Sequence, residues 1–170
     1  MSISEIYAMI KTLSTVSPYF DAELGRFVEN PWHLFPPAPE SALAAFEQKG
    51  FSLPSELKEL LRLTNGIMRS CKEQYIYSIE DMFMLADVFY GGYRPGIFAI
   101  GYFWEDRLLV DSAKIDTKDY LFCVQSCDKI GYNFEYSFSL LLQRLVMCDF
   151  NNFWSWTFSP RKEIPFLRER

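Results

Sequence analysis

The 170-residue chain holds a single histidine, His33, and its four cysteines, Cys71, Cys123, Cys127 and Cys148, include no CxxC pair. A zinc site would have to gather thiols and carboxylates from distant loops, so no metal ligands are assigned. The sequence also lacks GxGxxG, GxxxxGK[ST] and GxSxG, which leaves no written phosphate cradle and no nucleophile elbow. Gly91, Gly92 and Gly96 read as turn residues. No apolar run approaches the ~20 residues that cross a bilayer, and MSISEIYAMIKTLS has no basic region ahead of an apolar block. The expected location is the cytoplasm, with reduced thiols, because four irregularly spaced cysteines do not make the framework of a small secreted domain. A net charge of −5 argues against direct nucleic-acid binding, which needs a basic face to neutralise phosphates. A basic protein partner fits that charge.

What the chain has in quantity is aromatic side chains, 18% of all residues, including 16 Phe, 10 Tyr and 4 Trp. With half its residues apolar, a chain of this length is expected to fold as one domain around one core. Ser2 followed three residues later by Glu5 fits a capping box, with Ile6, Met9, Ile10 and Leu13 continuing a helical stripe to about Ser14. Prolines 18, 31, 36 and 37 make the next stretch read as an irregular wrap. PESALAAFEQK predicts a second helix with Leu43 and Phe46 inward. LPSELKELLRLTNGI predicts a third, starting at Pro54 and stopping where Asn65 and Gly66 enter the left-handed region. A short strand at Gln74–Tyr77 and a helix from about Ile79 to Phe89 follow, the helix carrying Glu80 and Asp81 in its first turn. GIFAIGYF, RLLVDS and YLFCVQS then alternate as three adjacent antiparallel strands, and Ser137 caps a final apolar helix, FSLLLQRLVMCD. Trp154, Trp156 and Phe158, at period two, predict an edge strand that is core if packed under the N-terminal residues and an apolar patch if left open.

Charge is unevenly spread. Glu73 to Glu135 holds eleven acids against five bases, a net −6, whereas RKEIPFLRER at the end carries +2 and could fold back on the acidic centre.

The ordered set PESALAAFEQKGFSLPSELKELLRLTNGI, IYSIEDMF, FAIGYFWEDRLLVD and YSFSLLLQRL resembles the Smi/Knr-like proteins of the SUKH superfamily, over about Pro39 to Asp149. The resemblance implies an α+β fold, a mostly antiparallel sheet packed with helices, in a single domain. It divides the chain into an N-terminal helix and proline-rich wrap (1–38), a Smi/Knr-like core (39–149) and an aromatic, basic tail (150–170). Bacterial members are typically immunity proteins that bind and neutralise toxins; a fungal branch regulates through protein contacts. The family supplies no catalytic residues, and none are carried over. Where members often have a glycine-rich turn after Ile-Gly, this chain has Tyr102-Phe103-Trp104-Glu105-Asp106. On this view the Asn65-Gly66 stop marks architecture, where the chain leaves the helical layer for the sheet.

Those five residues have two readings. One is a hairpin turn whose aromatics cover the core edge; the other is a rigid Trp anchor beside two acids that meets a basic partner. Together with strand-end acids they give the candidate partner-binding set Tyr102, Trp104, Glu105, Asp106, Asp111, Asp116, Asp119 and Asp128. No catalytic residue and no cofactor is assigned. A nucleophile assembled in space from His33 and a cysteine is left open without a local signature, and carboxylate pairs among so many acids can be drawn at will. The expected function is therefore non-enzymatic protein binding, as an immunity protein covering a basic toxin domain, with a Smi/Knr-type regulator or scaffold as the alternative. The sequence does not specify an oligomeric state.

Overall fold

The structure is a computed structural model that describes residues 1–15, 19–21, 25–28, 32–69, 74–89, 95–104, 106–125, 130–150, 153 and 162–165. Its first helix, α1 (Ile3–Thr15), begins with the expected capping box: the Ser2 amide donates to Glu5 Oε2 at 2.7 Å and the Glu5 amide to Ser2 Oγ at 3.3 Å. A small hairpin follows, β1 (Tyr19–Asp21) with β2 (Arg26–Val28), then β3 (Trp32–Leu34), so the stretch expected to be irregular contains three strands. Strands of three residues are too short to show a period, and the prolines around them mask what remains.

α2 (Glu40–Gln48) and α3 (Ser55–Leu63) are the two expected helices, and ion pairs join them. Arg62 holds both Glu40 carboxylate oxygens, at 2.6 and 2.9 Å, and Lys58 reaches Glu47 at 2.7 Å. Phe46 stacks on Phe51, with ring centroids 5.1 Å apart, and both rings meet Phe98 of the sheet. Next come β4 (Ile67–Arg69), β5 (Gln74–Ile76), α4 (Ile79–Phe89), β6 (Ile97–Phe103), β7 (Asp106–Asp111), a 3-10 turn at Ser112–Lys114, β8 (Leu121–Gln125), β9 (Ile130–Asn133), α5 (Phe138–Met147) and β10 (Lys162–Pro165). β3 to β10 make one eight-stranded sheet in simple chain order, each strand antiparallel to the next. The fold is α+β, as the sequence predicts. The basic tail supplies the edge strand beside β9, and the expected strand at Trp154, Trp156 and Phe158 lies outside the described residues.

α1, α3 and α5 pack together on one face of the sheet, over Ile67, Ile76, Phe98, Phe103, Leu108, Val110 and Leu121. A second, smaller apolar cluster, Ile97, Ala99, Leu109, Phe122 and Val124, occupies the opposite face with Tyr77 against it. Strand alternation produces the two faces, and a bulge at Ile100 keeps Phe98, Ile100 and Phe103 all in the main core.

The junction after α3 differs from a simple left-handed stop. Thr64 is extended, with φ −153° and ψ 127°, and only Gly66 has positive φ, at 101°. Thr64 Oγ1 accepts from the Phe35 amide at 3.0 Å and lies 2.8 Å from the Gly66 carbonyl. The Asn65 amide donates to the Pro36 carbonyl at 3.1 Å, and the Ala38 amide to Leu61 at 2.8 Å. Asn65 then acts through its side chain: Oδ1 accepts from the Ile79 amide at 2.8 Å and Nδ2 donates to Glu80 Oε2 at 2.6 Å. It thereby caps α4, fourteen residues away.

A Cβ on Gly66 would sit 2.9 Å from the Ile76 carbonyl and 3.0 Å from the Ser78 nitrogen. Gly66→Ala is expected to cost well over ~1 kcal/mol, since it combines a left-handed backbone with a backbone clash. Asn65→Ala, which removes one cap, is expected to cost ~1 kcal/mol. Urea titrations check both: the midpoint should fall with the slope unchanged, and by more for Gly66→Ala.

Candidate functional site

The register of the sheet places His33, Met68, Tyr75, Tyr102 and Arg107 opposite one another on successive strands β3 to β7. All five are half-buried, and their strand neighbours Trp32, Ile67, Gln74, Ile76, Phe103 and Leu108 point into the helix-covered core. The row therefore faces away from the helices. At ~4.8 Å between strands, the four residues from His33 to Tyr102 span ~14 Å.

Beside this row lies a groove of about 530 Å³. Met68, Tyr75 and Tyr77 form its aromatic floor, Phe35, Pro36 and Pro37 its wall, and Glu80 and Asp81 its rim. Its wall and rim are positioned by the junction after α3, and its floor by the pairing of β4 with β5. The wall is held by hydrogen bonds to Thr64 and Asn65, and the rim by the α4 cap, where Glu80 accepts from Asn65 and Asp81 pairs with Ser78 at 2.7 Å. Phe35 is 44% exposed, and both acids are exposed. The described residues of the groove lining include no lysine or arginine. Burial pushes the Tyr77 hydroxyl up to about 12; Arg107 pulls it down, and Asp81, Tyr102 and Tyr75 push it further up.

The candidate set drawn from the sequence divides between two ends of the sheet. Tyr102 belongs to the row just described, and Trp104 follows it at the β6–β7 turn, 37% exposed and with φ 62°, a backbone conformation unusual for a bulky residue. Asp106 opens β7 but is only 8% exposed. Asp111, at the other end of β7 and ~17 Å from Asp106, is 5% exposed. Its carboxylate accepts from the Ala113 amide at 3.1 Å and lies 3.6 Å from the Lys114 ammonium. Asp119 accepts from Asn133 Nδ2 at 3.0 Å, and Asp116 is exposed beside a second cavity, between the start of α3 and the turn before β8. Glu105 and Asp128 lie outside the described residues. Among the described candidates, then, Tyr102 and Trp104 sit near one end of β7 while Asp111, Asp116 and Asp119 sit at the other, and Asp106 and Asp111 are turned inward.

Sequence reasoning missed Phe35, Met68, Tyr75 and Tyr77 as surface residues. The signal for two of them is present in QYIY, where Tyr75 and Tyr77 alternate with the buried Gln74 and Ile76. Asn65, taken as purely architectural, lines the groove. His33 stands opposite Met68, Cys123 is buried in β8, and Cys71 and Cys127 lie outside the described residues. Burial holds the Cys148 thiol above its ordinary range, with Arg144 opposing it, which disfavours the thiolate a nucleophile needs. No helix among the described residues is long and apolar enough to cross a membrane.

The chain matches no protein-family model and no curated protein sequence.

The Tyr77 hydroxyl has a folded-state value raised from 10.0 to about 12, so its contribution to stability is complete below pH 10 and lost as pH rises through 12. Stability is expected to fall over that interval, and less steeply in Tyr77→Phe. Tyrosinate absorbance should show Arg107→Gln moving this titration higher and Asp81→Asn moving it lower. Failure of either variant to move it contradicts the placement of Tyr77 between those two charges.

Proposed function

We propose that the chain is a non-enzymatic protein-binding domain that neutralises a partner by covering it, in the manner of the bacterial immunity proteins its motif order resembles. The observation that carries this reading is the groove beside the cross-strand row, at the start of α4: a floor of Met68, Tyr75 and Tyr77, a fixed proline wall and an exposed acidic rim. Aromatic and Met side chains in a partly desolvated hollow are what interface anchors are made of, because they supply large contact area with few rotamers to freeze. The acids nearest the groove do structural work at the start of α4 and stay exposed, so they present a negative edge without moving.

The mechanism is steric. A partner whose working surface is basic is drawn by the net negative charge, docks on Tyr75, Tyr77 and Met68, and loses access to its own substrate. Charge sets the encounter rate and apolar contact sets the lifetime. The cytoplasm is the compartment in which such a partner would be met.

Coexpression with the products of the neighbouring genes tests this. One of them is expected to form a stoichiometric complex with the chain and to stop arresting growth when the chain is present, with an association rate that falls as salt is raised. A complex without growth protection would point instead to a regulator or scaffold. Absence of any complex overturns the reading.

A further inference from the structure

Resting on that binding reading, we infer that the groove takes an extended basic segment of the partner protein, seating an apolar side chain on Met68 and Tyr75 and directing a neighbouring Lys or Arg to Glu80 and Asp81. Three observations converge on this occupant. First, Met68, Tyr75 and Tyr77 lie along two paired strands with Phe35, Pro36 and Pro37 beside them, so the floor is a strip that suits a short extended segment. Second, the floor and wall, Phe35, Pro36, Pro37, Met68, Tyr75 and Tyr77, are aromatic or apolar and held in place by backbone hydrogen bonds, so ordering them costs little on binding.

Third, the charge is one-sided. Among the described residues of the lining, Glu80 and Asp81 are the carboxylates and there is no lysine or arginine. Each has one oxygen engaged at the α4 cap, by Asn65 or by Ser78, which holds the second oxygen in a defined position. A guanidinium or ammonium arriving there also meets the ring of Tyr77, where cation–π attraction adds to the ion pair. Arg107 stands two strands from Tyr75, ~10 Å along the row, and fixes the polarity: the cationic side chain belongs at the α4 end. Lys162–Pro165, the described part of the chain's own basic tail, pairs with β9 at the opposite edge of the sheet from the groove.

The test titrates three short fluorescein-labelled peptides into the full chain, each built on the same Leu and Pro pattern, one with Lys and Arg, one with Gln in their place and one with Glu. The basic peptide is expected to bind about tenfold or more tightly than the Gln peptide and to weaken with salt, while the Glu peptide stays unbound. Amide resonances of Met68, Tyr75, Tyr77, Glu80 and Asp81 should shift. Glu80→Gln and Asp81→Asn keep a carbonyl oxygen for the α4 cap, and each should weaken the basic peptide several-fold. Met68→Arg should abolish its binding, with thermal melts confirming that the variants fold.

Equal affinity for the three peptides, no binding of any of them, or shifts confined to residues outside the groove overturns the inference. So does sedimentation showing that the unliganded chain self-associates in a way Met68→Arg abolishes, since the occupant would then be a second copy. A partner complex that survives Met68→Arg removes the groove but leaves protein binding standing. Conversely, the peptide result stands whether or not a toxin is ever found.

Discussion

Three consecutive residues, Thr64, Asn65 and Gly66, impose the constraint on which the rest of this structure depends. Thr64 fastens the segment before α2, Asn65 caps α4, and Gly66 lets two stretches of backbone pass at a distance no side chain permits. These contacts join points 29, 2 and 14 residues apart in sequence. Buried hydrogen bonds of this kind are worth only ~1 kcal/mol each, but leaving one partner unmade costs more, so the junction is held as a set. Its effect is to bring a proline wall, a helix start and two strands to one place, and the groove is the space among them.

A second polar device stabilises the other end of the same strands. Arg69, side chain 0% exposed, donates to the Asp149 carboxylate and to its carbonyl, and its guanidinium lies 5.5 Å from the Trp32 ring. Asp149 and Phe150 both have left-handed backbone, with φ 54° and 59°, and Phe150 N donates to Leu145 at 2.6 Å as α5 ends. Two such residues in succession are costly without glycine, and the buried arginine together with the packing of Phe150 on Trp32 and Phe103 offsets that cost. Core-facing Arg69 and groove-facing Met68 are adjacent, so the strand that anchors the exit of α5 also floors the groove.

The helices were legible because each carries several signals at once: Ser2 with Glu5, Leu43 with Phe46, Leu57 with Leu60 and Leu61, Ser137 before an apolar run. β6, β7 and β8 were legible from alternation. β3, β4 and β9 were not, since three or four residues do not establish a period and their pairing depends on partners far along the chain. Of the groove, the sequence showed the acids Glu80 and Asp81, and those only as complements to a helix dipole; of the row beside it, Tyr102. What hid the site is register. That Met68, Tyr75 and Tyr102 become neighbours follows from β4, β5 and β6 pairing at those residues, and no spacing in the sequence encodes it.

The central charge of −6 takes on a different meaning once its members are placed. Asp106 and Asp111 are buried, Asp119 holds Asn133, and Glu80 and Asp81 accept from Asn65 and Ser78 at the start of a helix. An acid already engaged in this way gains less from a new ion pair, because part of its solvation has been exchanged and its geometry is fixed. An acid without a cation beside it still contributes its field at long range, and fields of several such groups add over a Debye length of roughly 8 Å or more at cellular salt or below. On the proposed binding reading, most contact energy then comes from the apolar floor, where Met68, Tyr75 and Tyr77 still have surface to bury, and the free carboxylate oxygens of Glu80 and Asp81 add to it while also steering the approach.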